Sequence, residues 1–132
     1  MLLQETHVLD GDAHGLDSLY CATWGFNPDE KRRIKLWSES SKSRRGVAIL
    51  LDPYSTIQEI KPWMEEAWTL HLMAATVRIH TEDFIILNVH APNDRYDRKR
   101  LFKSLSTALQ SFDGLVILGG DRNCTLFPSL DL

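Results

Sequence analysis

The chain has 132 residues, of which 43% are hydrophobic and 25% are charged, and its formal net charge is −3. This composition is typical of one globular domain with enough apolar material for a core, and it excludes a largely disordered chain. The small negative charge counts against a protein that holds nucleic acid mainly through overall electrostatic attraction.

The first part of the chain predicts two strands. An apolar start gives a strand that ends near Gln4, directly before Glu5. Residues 17–24 are predicted to be irregular or partly helical, and the polar, serine-rich stretch 39–45 is predicted to be a surface loop. This loop leads into the second strand, from Gly46 to Leu51, whose apolar run is far too short to cross a membrane.

The middle of the chain predicts a β-hairpin. Two β-prone runs, Leu72 to Ile79 and Phe84 to Val89, are joined by the polar residues 80–83. Because both runs are apolar almost throughout, we expect the two strands to be buried on both faces.

The apolar pattern changes period after Pro92, where the clearest helix of the chain follows. Asn93 or Asp94 can cap its first turn, and Gly114 can end it before a strand from Leu115 to Leu118. The apolar stripe of this helix consists of Leu101, Phe102, Leu105, Leu109 and Phe112. Strands mixed with covering helices predict an α/β layered fold.

Polar residues that suit catalysis follow several of these strands. Glu5 follows the first strand, His90 and Asn93 follow the hairpin, and Asp121 and Asn123 follow the last strand. Loops beyond strand ends are where α/β proteins assemble sites, so two distant carboxylates can meet around one cation. Each residue also has an ordinary structural interpretation: a surface acid, a half-buried strand-end histidine, a helix cap, and a Gly-Gly-Asp turn.

The remaining polar candidates point to no other site. The two cysteines, Cys21 and Cys124, form no CxxC pair, so neither a zinc signature nor a disulfide framework is indicated. The other four histidines show no metal-ligand spacing and are predicted to be surface or strand residues. They are His7, His14, His71 and His80.

Four motifs in a fixed order carry a family resemblance. They are Leu-Gln-Glu-Thr-His at 3–7, Gly-Val-Ala-Ile-Leu at 46–50, His-Ala-Pro-Asn at 90–93 and Gly-Gly-Asp-x-Asn-Cys at 119–124. As a set they resemble the endonuclease/exonuclease/phosphatase superfamily, and most closely the endonuclease domain of non-LTR retrotransposons. The continuation from Cys124 to Pro128, and Leu130-Asp131 beyond it, favours the retrotransposon branch.

The resemblance implies a four-layer α/β sandwich, in which two packed mixed β-sheets are flanked by helices. It also implies that residues 1–132 form a partial domain, without the strand that precedes the Glu5 strand and without the C-terminal half. The family's late Asp and terminal His then have no counterparts in this chain. A partial sandwich is expected to leave unpaired strand edges and exposed apolar surface.

The resemblance assigns a role to each of the five candidates. Glu5 would be the metal ligand for Mg²⁺, or for Mn²⁺ in its place. Asp121 would orient and deprotonate the attacking water, and Asn123 would hold that water or a phosphate oxygen. Asn93 would support the site, while His90 stands where relatives usually carry Tyr and can donate a hydrogen bond there.

The segment from Asp121 to Asn123 carries a second departure from the family. If this segment is extended, Asp121 and Asn123 face one side and Arg122 faces the other. Relatives usually place Phe at the position of Arg122, pointing into the protein. Because a buried unpaired charge is costly, Arg122 must reach water, find a carboxylate or destabilise its loop, and a weakened site is predicted.

The leading hypothesis is part of a Mg²⁺-dependent endonuclease that hydrolyses DNA phosphodiester bonds, weak or inactive as this chain, with a reverse transcriptase domain in the parent polyprotein. One alternative is a phosphatase or phospholipid phosphodiesterase of the same fold. Another is a catalytically inactive remnant that binds nucleic acid or protein through the basic segments Lys31–Arg33 and Arg95–Lys103. With no membrane segment and no secretion signal, an intracellular location, nuclear or cytoplasmic, is expected.

Overall fold

The computed structural model describes residues 1–9, 11–25, 35–38 and 46–124. Within these ranges the chain is mixed α/β, with two β-sheets and helices, so the predicted fold class is confirmed. The strands are β1 (Leu2–Gln4), β2 (Lys35–Trp37), β3 (Val47–Leu50), β4 (Ile57–Pro62), β5 (Leu72–Ile79), β6 (Glu82–His90) and β7 (Leu115–Asp121). The helices are α1 (Ala13–Thr23), α2 (Arg95–Leu109) and a short 3₁₀ turn, Glu65–Ala67.

The seven strands form a small and a large sheet. The small sheet has the order β1-β3-β2 and is antiparallel throughout. The large sheet has the order β4-β5-β6-β7, in which only the β6–β7 pair is parallel. A parallel pair needs a long crossover, which α2 provides, so β6 and β7 end at the same edge of the large sheet.

The predicted hairpin is confirmed. Strand β5 has its predicted bounds, and β6 is longer than predicted at both ends. His80 takes a positive φ of 55° in the turn, and the guanidinium of Arg78 donates two hydrogen bonds of 2.8 Å to Asp83. These bonds lower the pKa of the Asp83 carboxyl.

Helix α2 begins where predicted but ends earlier. The Asp94 carboxylate accepts hydrogen bonds from the N–H groups of Tyr96 and Asp97, each at 2.9 Å, and caps the first turn. The prediction that the helix reaches Phe112 is wrong, because α2 ends at Leu109. The Phe112 ring instead packs edge-on against Trp63, with centroids 6.5 Å apart.

Helix α1 is regular where the sequence predicted a partly irregular stretch. It packs on the small sheet through Asp17, which accepts a hydrogen bond of 2.6 Å from the Trp37 indole and pairs with Lys35 at 3.3 Å. Cys21 on the same helix is buried in the core. Among the described residues, no helix is long and apolar enough to cross a membrane.

Two hydrophobic clusters cover the two faces of the large sheet. One lies between the sheets and contains Val47 and Ile49 of the small sheet with Met73 and Val77 of β5. The other lies under α2 and contains Leu72, Ala74, Ile85, Leu87, Val89 and Leu105. The alternation of β5 between these clusters confirms that its near-continuous apolar run is buried on both faces.

A buried polar side chain joins the two sheets. Asn88 of β6 is fully buried and donates hydrogen bonds of 2.8 Å to the carbonyl oxygens of Leu3 and Ala48. It accepts a third bond, of 2.7 Å, from the Gln4 side chain. All three partners belong to β1 or β3, so the small sheet satisfies a carboxamide that the large sheet presents.

Strand β7 lies at the edge of the large sheet in the described part of the chain. Its apolar residues from Leu115 to Leu118 are 60%, 41%, 46% and 38% exposed. Their register partners on β6, from Phe84 to Leu87, are buried or half-buried. The expected unpaired edge and exposed apolar surface are therefore both present, and they coincide on this strand.

Replacement of Asn88 is expected to loosen the packing of the two sheets. Asn88→Ala should lower the free energy of unfolding by about 3 kcal/mol, because it leaves two carbonyls and one side-chain amide without their buried partner. Urea denaturation measures this loss. Gln4→Ala, which removes one bond at a half-buried position, should cost about 1 kcal/mol. Equal losses in the two variants would contradict the assignment of Asn88 as the inter-sheet link.

Candidate active site

Strands β1, β6 and β7 end at one rim of the two packed sheets. The hydrogen bond between Gln4 and Asn88 holds the end of β1 over β6. Glu5 directly follows β1, and His90 lies two residues after Asn88. The β6–β7 register places Asp121 opposite His90. The three strands therefore deliver Glu5, His90 and Asp121 to the same rim.

The two glycines before Asp121 allow this close arrangement. A Cβ at Gly119 would collide with the Leu2 side chain of β1, so the missing side chain lets the two sheets approach. Gly120 has a φ of +113°, and a Cβ there would collide with the carbonyl of Val89 on the neighbouring strand. The Gly-Gly pair thus brings β7 to the rim beneath β1 and beside β6.

Glu5 and His90 lie next to each other. The His90 Nε2 atom is 3.9 Å from Oε1 of Glu5; the Glu5 side chain is 64% exposed and that of His90 14%. Glu5 also has a φ of 51°, in the left-handed region that a residue with a Cβ rarely adopts. Such strained residues are common at functional sites, where the surrounding structure holds them in place.

A second histidine lies at the rim. The backbone N–H of His90 donates to the His71 carbonyl at 2.9 Å, and His71 Nδ1 lies 2.7 Å from the His90 carbonyl. A carbonyl only accepts, so Nδ1 of His71 carries the proton. The ring centroids are 6.1 Å apart. His71 was missed because no motif marks it, although a hairpin necessarily places the residue before β5 beside the end of β6.

Asp121 is the last residue of β7, and Asn123 follows with a φ of 46°. Residues 121–123 are therefore not extended throughout, which is the condition that the expected alternation of side chains needs. The backbone N–H of Asn123 donates to Oδ1 of Asp121 at 2.8 Å, and its carboxamide donates to the Ala91 carbonyl. The Ala91 N–H donates to the Asp121 carbonyl at 2.8 Å. Asn123 therefore ties the end of β7 to the loop after β6.

The other two positions flagged by the sequence lie further out. Arg122 is exposed, so its guanidinium reaches water. Asn93 is exposed before α2, where its carbonyl accepts a hydrogen bond of 2.9 Å from Arg98. In the described ranges its side chain bonds to none of the other candidates. The structure thus groups Glu5, His90, Asp121 and Asn123, and leaves Asn93 at the helix start.

The donor set at the rim fits a hydrated divalent cation. Among the described residues, no three His, Cys, Asp or Glu side chains form a cluster that could hold a metal ion. Mg²⁺ retains several waters and is often bound through one or two carboxylates plus substrate phosphate. The exposed carboxylate of Glu5 suits that mode, in which water and phosphate oxygens supply the remaining ligands.

A basic helical surface follows the rim in sequence. The first half of α2 exposes Arg95, Lys99, Arg100 and Lys103, together with Tyr96, which is 78% exposed. Cations attract phosphates, and an exposed aromatic ring offers a surface on which a base can stack. The other basic segment predicted to bind nucleic acid, Lys31–Arg33, lies outside the described residues.

An apolar cavity of about 480 Å³ lies between the 3₁₀ turn and α2. Its walls include Trp63, Trp68, Leu72 and Leu101, and none of the five candidate residues lines it. Leu72 lines this cavity, whereas the adjacent residue His71 contacts His90 at the rim. Neighbouring residues of an extended chain point to opposite faces, so the cavity and the rim are separate sites.

No protein-family model and no curated protein matches the chain. Solved structures of TDP2 (tyrosyl-DNA phosphodiesterase 2) are similar to it. Truncated TDP2 from Caenorhabditis elegans has a TM-score of 0.53 and 18% identity, over 99% of this chain and 50% of that one. A humanized D. rerio TDP2 has a TM-score of 0.54 and 19% identity, over 95% and 52%. D. rerio TDP2 complexed with a single-strand DNA product has a TM-score of 0.58 and 14% identity, over 94% and 47%.

The chain therefore spans about half the length of these structural neighbours. At this level of identity the likeness shows the fold alone, a mixed α/β arrangement of two sheets and helices, and membership of the endonuclease/exonuclease/phosphatase superfamily stays a prediction. The narrower resemblance to retrotransposon endonucleases stays a prediction.

The left-handed backbone at Glu5 predicts an unusual order of stabilities. Glu5→Gly should be more stable than Glu5→Ala by about 1 kcal/mol, because glycine adopts a positive φ without a Cβ penalty. Both variants lose the carboxylate, so urea denaturation of the pair isolates the backbone effect. An alanine variant as stable as the glycine variant would show that Glu5 is not strained.

The two glycines of β7 should differ in their tolerance of a side chain. Gly120→Ala forces a Cβ against the Val89 backbone at a positive φ, whereas Gly119→Ala meets the movable end of Leu2. We expect Gly120→Ala to cost about 2 kcal/mol more than Gly119→Ala in free energy of unfolding. Thermal and urea unfolding of the two variants compare them directly, and the reverse order would exclude the β6–β7 contact described above.

Proposed function

We propose that this chain is part of an endonuclease domain that hydrolyses DNA phosphodiester bonds with Mg²⁺. The observation that carries the proposal is the convergence of Glu5, His90 and Asp121 at one rim, from strands far apart in the sequence. Two carboxylates and an imidazole at one edge are the donors that metal-assisted hydrolysis of a phosphodiester requires.

Each residue at the rim has a distinct task in this proposal. When bound at Glu5, Mg²⁺ supplies positive charge that polarises the phosphate. Asp121 accepts the proton of the attacking water, and its second carboxylate oxygen serves because Asn123 N–H already occupies Oδ1. Asn123 holds the Asp121 loop in place, and the imidazole of His90 lies beside Glu5, with Nε2 at 3.9 Å from Oε1.

DNA is the substrate that the surroundings of the rim favour. The exposed cations of α2 and the Tyr96 ring lie directly after the rim in sequence and suit a phosphate backbone with unpaired bases. One structural neighbour, D. rerio TDP2, was solved with a single-strand DNA product. Because the overall charge is −3, attraction to DNA depends on local basic patches such as this one.

The motif order supports a retrotransposon-type endonuclease, encoded together with a reverse transcriptase. Residues 1–132 would then be a partial domain, because the chain spans about half of its structural neighbours. Within residues 1–132, Arg122 stands where the family resemblance expects an apolar residue, which favours a weakened site. Slow turnover by this chain is therefore expected.

The structural neighbours favour a second candidate function. They are tyrosyl-DNA phosphodiesterases, so the same rim can serve to release a tyrosyl group from a DNA end. Such an enzyme would act on an oligonucleotide with a phosphotyrosyl end and would spare internal bonds.

Nicking of supercoiled plasmid tests the proposal. Mg²⁺ should produce nicked circles and a chelator should prevent them, while Asp121→Asn should reduce the rate by roughly 10²-fold or more through loss of the general base. Asp113→Asn is the matched control, since Asp113 is an exposed acid before β7 and far from the rim. Its rate should equal that of the unaltered chain.

Three outcomes would overturn the endonuclease proposal. Cleavage confined to the phosphotyrosyl end would favour the second candidate. Nicking that survives Asp121→Asn would place the chemistry elsewhere. DNA binding that is independent of Mg²⁺, collapses as salt rises and brings no cleavage would show a binding remnant held by phosphate attraction alone.

A further inference from the structure

We propose that His90 is a second protein ligand to the cation held by Glu5, and that it shifts the preference of the site from Mg²⁺ toward ions that accept nitrogen, such as Co²⁺ and Zn²⁺. The inference rests on the proposed function in one respect, namely that Glu5 binds a divalent cation. It gives a chemical role to the histidine that stands where relatives usually carry Tyr.

The positions of the two side chains allow one ion to bind both. An ion about 2.0–2.2 Å from each donor separates adjacent ligand atoms by roughly 3.0–3.4 Å. The Nε2 atom of His90 and Oε1 of Glu5 are 3.9 Å apart without an ion. Because the Glu5 side chain is 64% exposed, its carboxylate has room to close the remaining gap.

The backbone of His90 is held by hydrogen bonds on both sides, whereas the Nδ1 atom of its ring makes none in the described part of the chain. Hydrogen bonds to His71 on one side and the parallel pairing with β7 on the other hold the main chain. Nδ1 of the ring is buried and has no hydrogen-bond partner among the described residues. In this orientation Nε2 faces Glu5, and binding of a cation at Nε2 would leave the proton on Nδ1.

The chemistry of the donors sets the preference between ions. A site built from a carboxylate and water suits Mg²⁺, which is a hard ion, whereas an imidazole nitrogen suits Zn²⁺ and other later transition metals. A tyrosine at this position offers only a phenol oxygen. One nitrogen ligand is thus expected to raise the affinity for Co²⁺ and Zn²⁺ relative to Mg²⁺ without further protein ligands. Water and phosphate would still complete the coordination.

Calorimetric titration of the full chain with Co²⁺ or Mg²⁺, at one pH and without DNA, tests the inference. His90→Tyr should weaken Co²⁺ binding by roughly 10-fold or more and change Mg²⁺ binding by less than about 2-fold. His14→Ala, at an exposed histidine of α1, should change neither affinity. Far-UV circular dichroism establishes that each variant is folded.

A second measurement needs no variant. With Co²⁺ bound, the proton NMR spectrum of the unaltered chain should show a strongly shifted, exchangeable resonance from the Nδ1–H of one coordinating imidazole. Absence of that resonance would overturn the inference, and so would equal losses of Co²⁺ and Mg²⁺ affinity in His90→Tyr. Co²⁺ binding that is unchanged in Glu5→Gln would also overturn it.

The two proposals fail in different ways. If Co²⁺ binding depends on His90 but plasmid is never nicked, the endonuclease proposal falls and the ligand assignment stands. If Mg²⁺-dependent nicking is observed and His90→Tyr leaves the order of ion affinities unchanged, the endonuclease proposal stands and His90 is not a ligand.

Discussion

The rim depends on the three hydrogen bonds of the Asn88 carboxamide. Aliphatic side chains alone would hold the two sheets together without fixing their relative position, because the hydrophobic effect is not directional. The Asn88 amide accepts from Gln4 and donates to two carbonyls of the small sheet, so it is satisfied in only one alignment. That alignment places Glu5 beside His90, and thereby determines which groups a substrate meets.

Several residues at the rim adopt backbone conformations that are unfavourable for residues with a side chain. Glu5 and Asn123 both adopt positive φ values, and Gly120 occupies a conformation that its neighbours deny to any side chain. Strain of this kind persists only where surrounding contacts determine the geometry. Here those contacts are the inter-sheet bonds of Asn88 and the pairing of β6 with β7. The core thus supplies the free energy that keeps the rim in one arrangement.

The sequence predicted features that depend on neighbouring residues and missed those that depend on distant ones. Two β-prone runs joined by polar residues located the hairpin, and local capping chemistry placed the start of α2 at Asn93 or Asp94, of which Asp94 is the cap. The helix end was wrong because Phe112 fits the helical stripe but packs on Trp63, far earlier in the chain. The conformation of Asn123 depends on the carbonyl of Ala91, and the position of His71 depends on pairing with β6. The polar Asn88 within an apolar strand was the one overlooked local signal.

The exposed edge of β7 also bears on how the chain behaves in solution. From Leu115 to Leu118 it offers consecutive aliphatic residues with no charge and no proline, and its outer edge pairs with no other strand of the described residues. Natural sheets normally protect such edges with lysine, proline or a bulge, and unprotected ones act as templates for further strands. In the part of the chain that the structure describes, association of further strands with this edge is therefore a route to aggregation that does not require loss of the core.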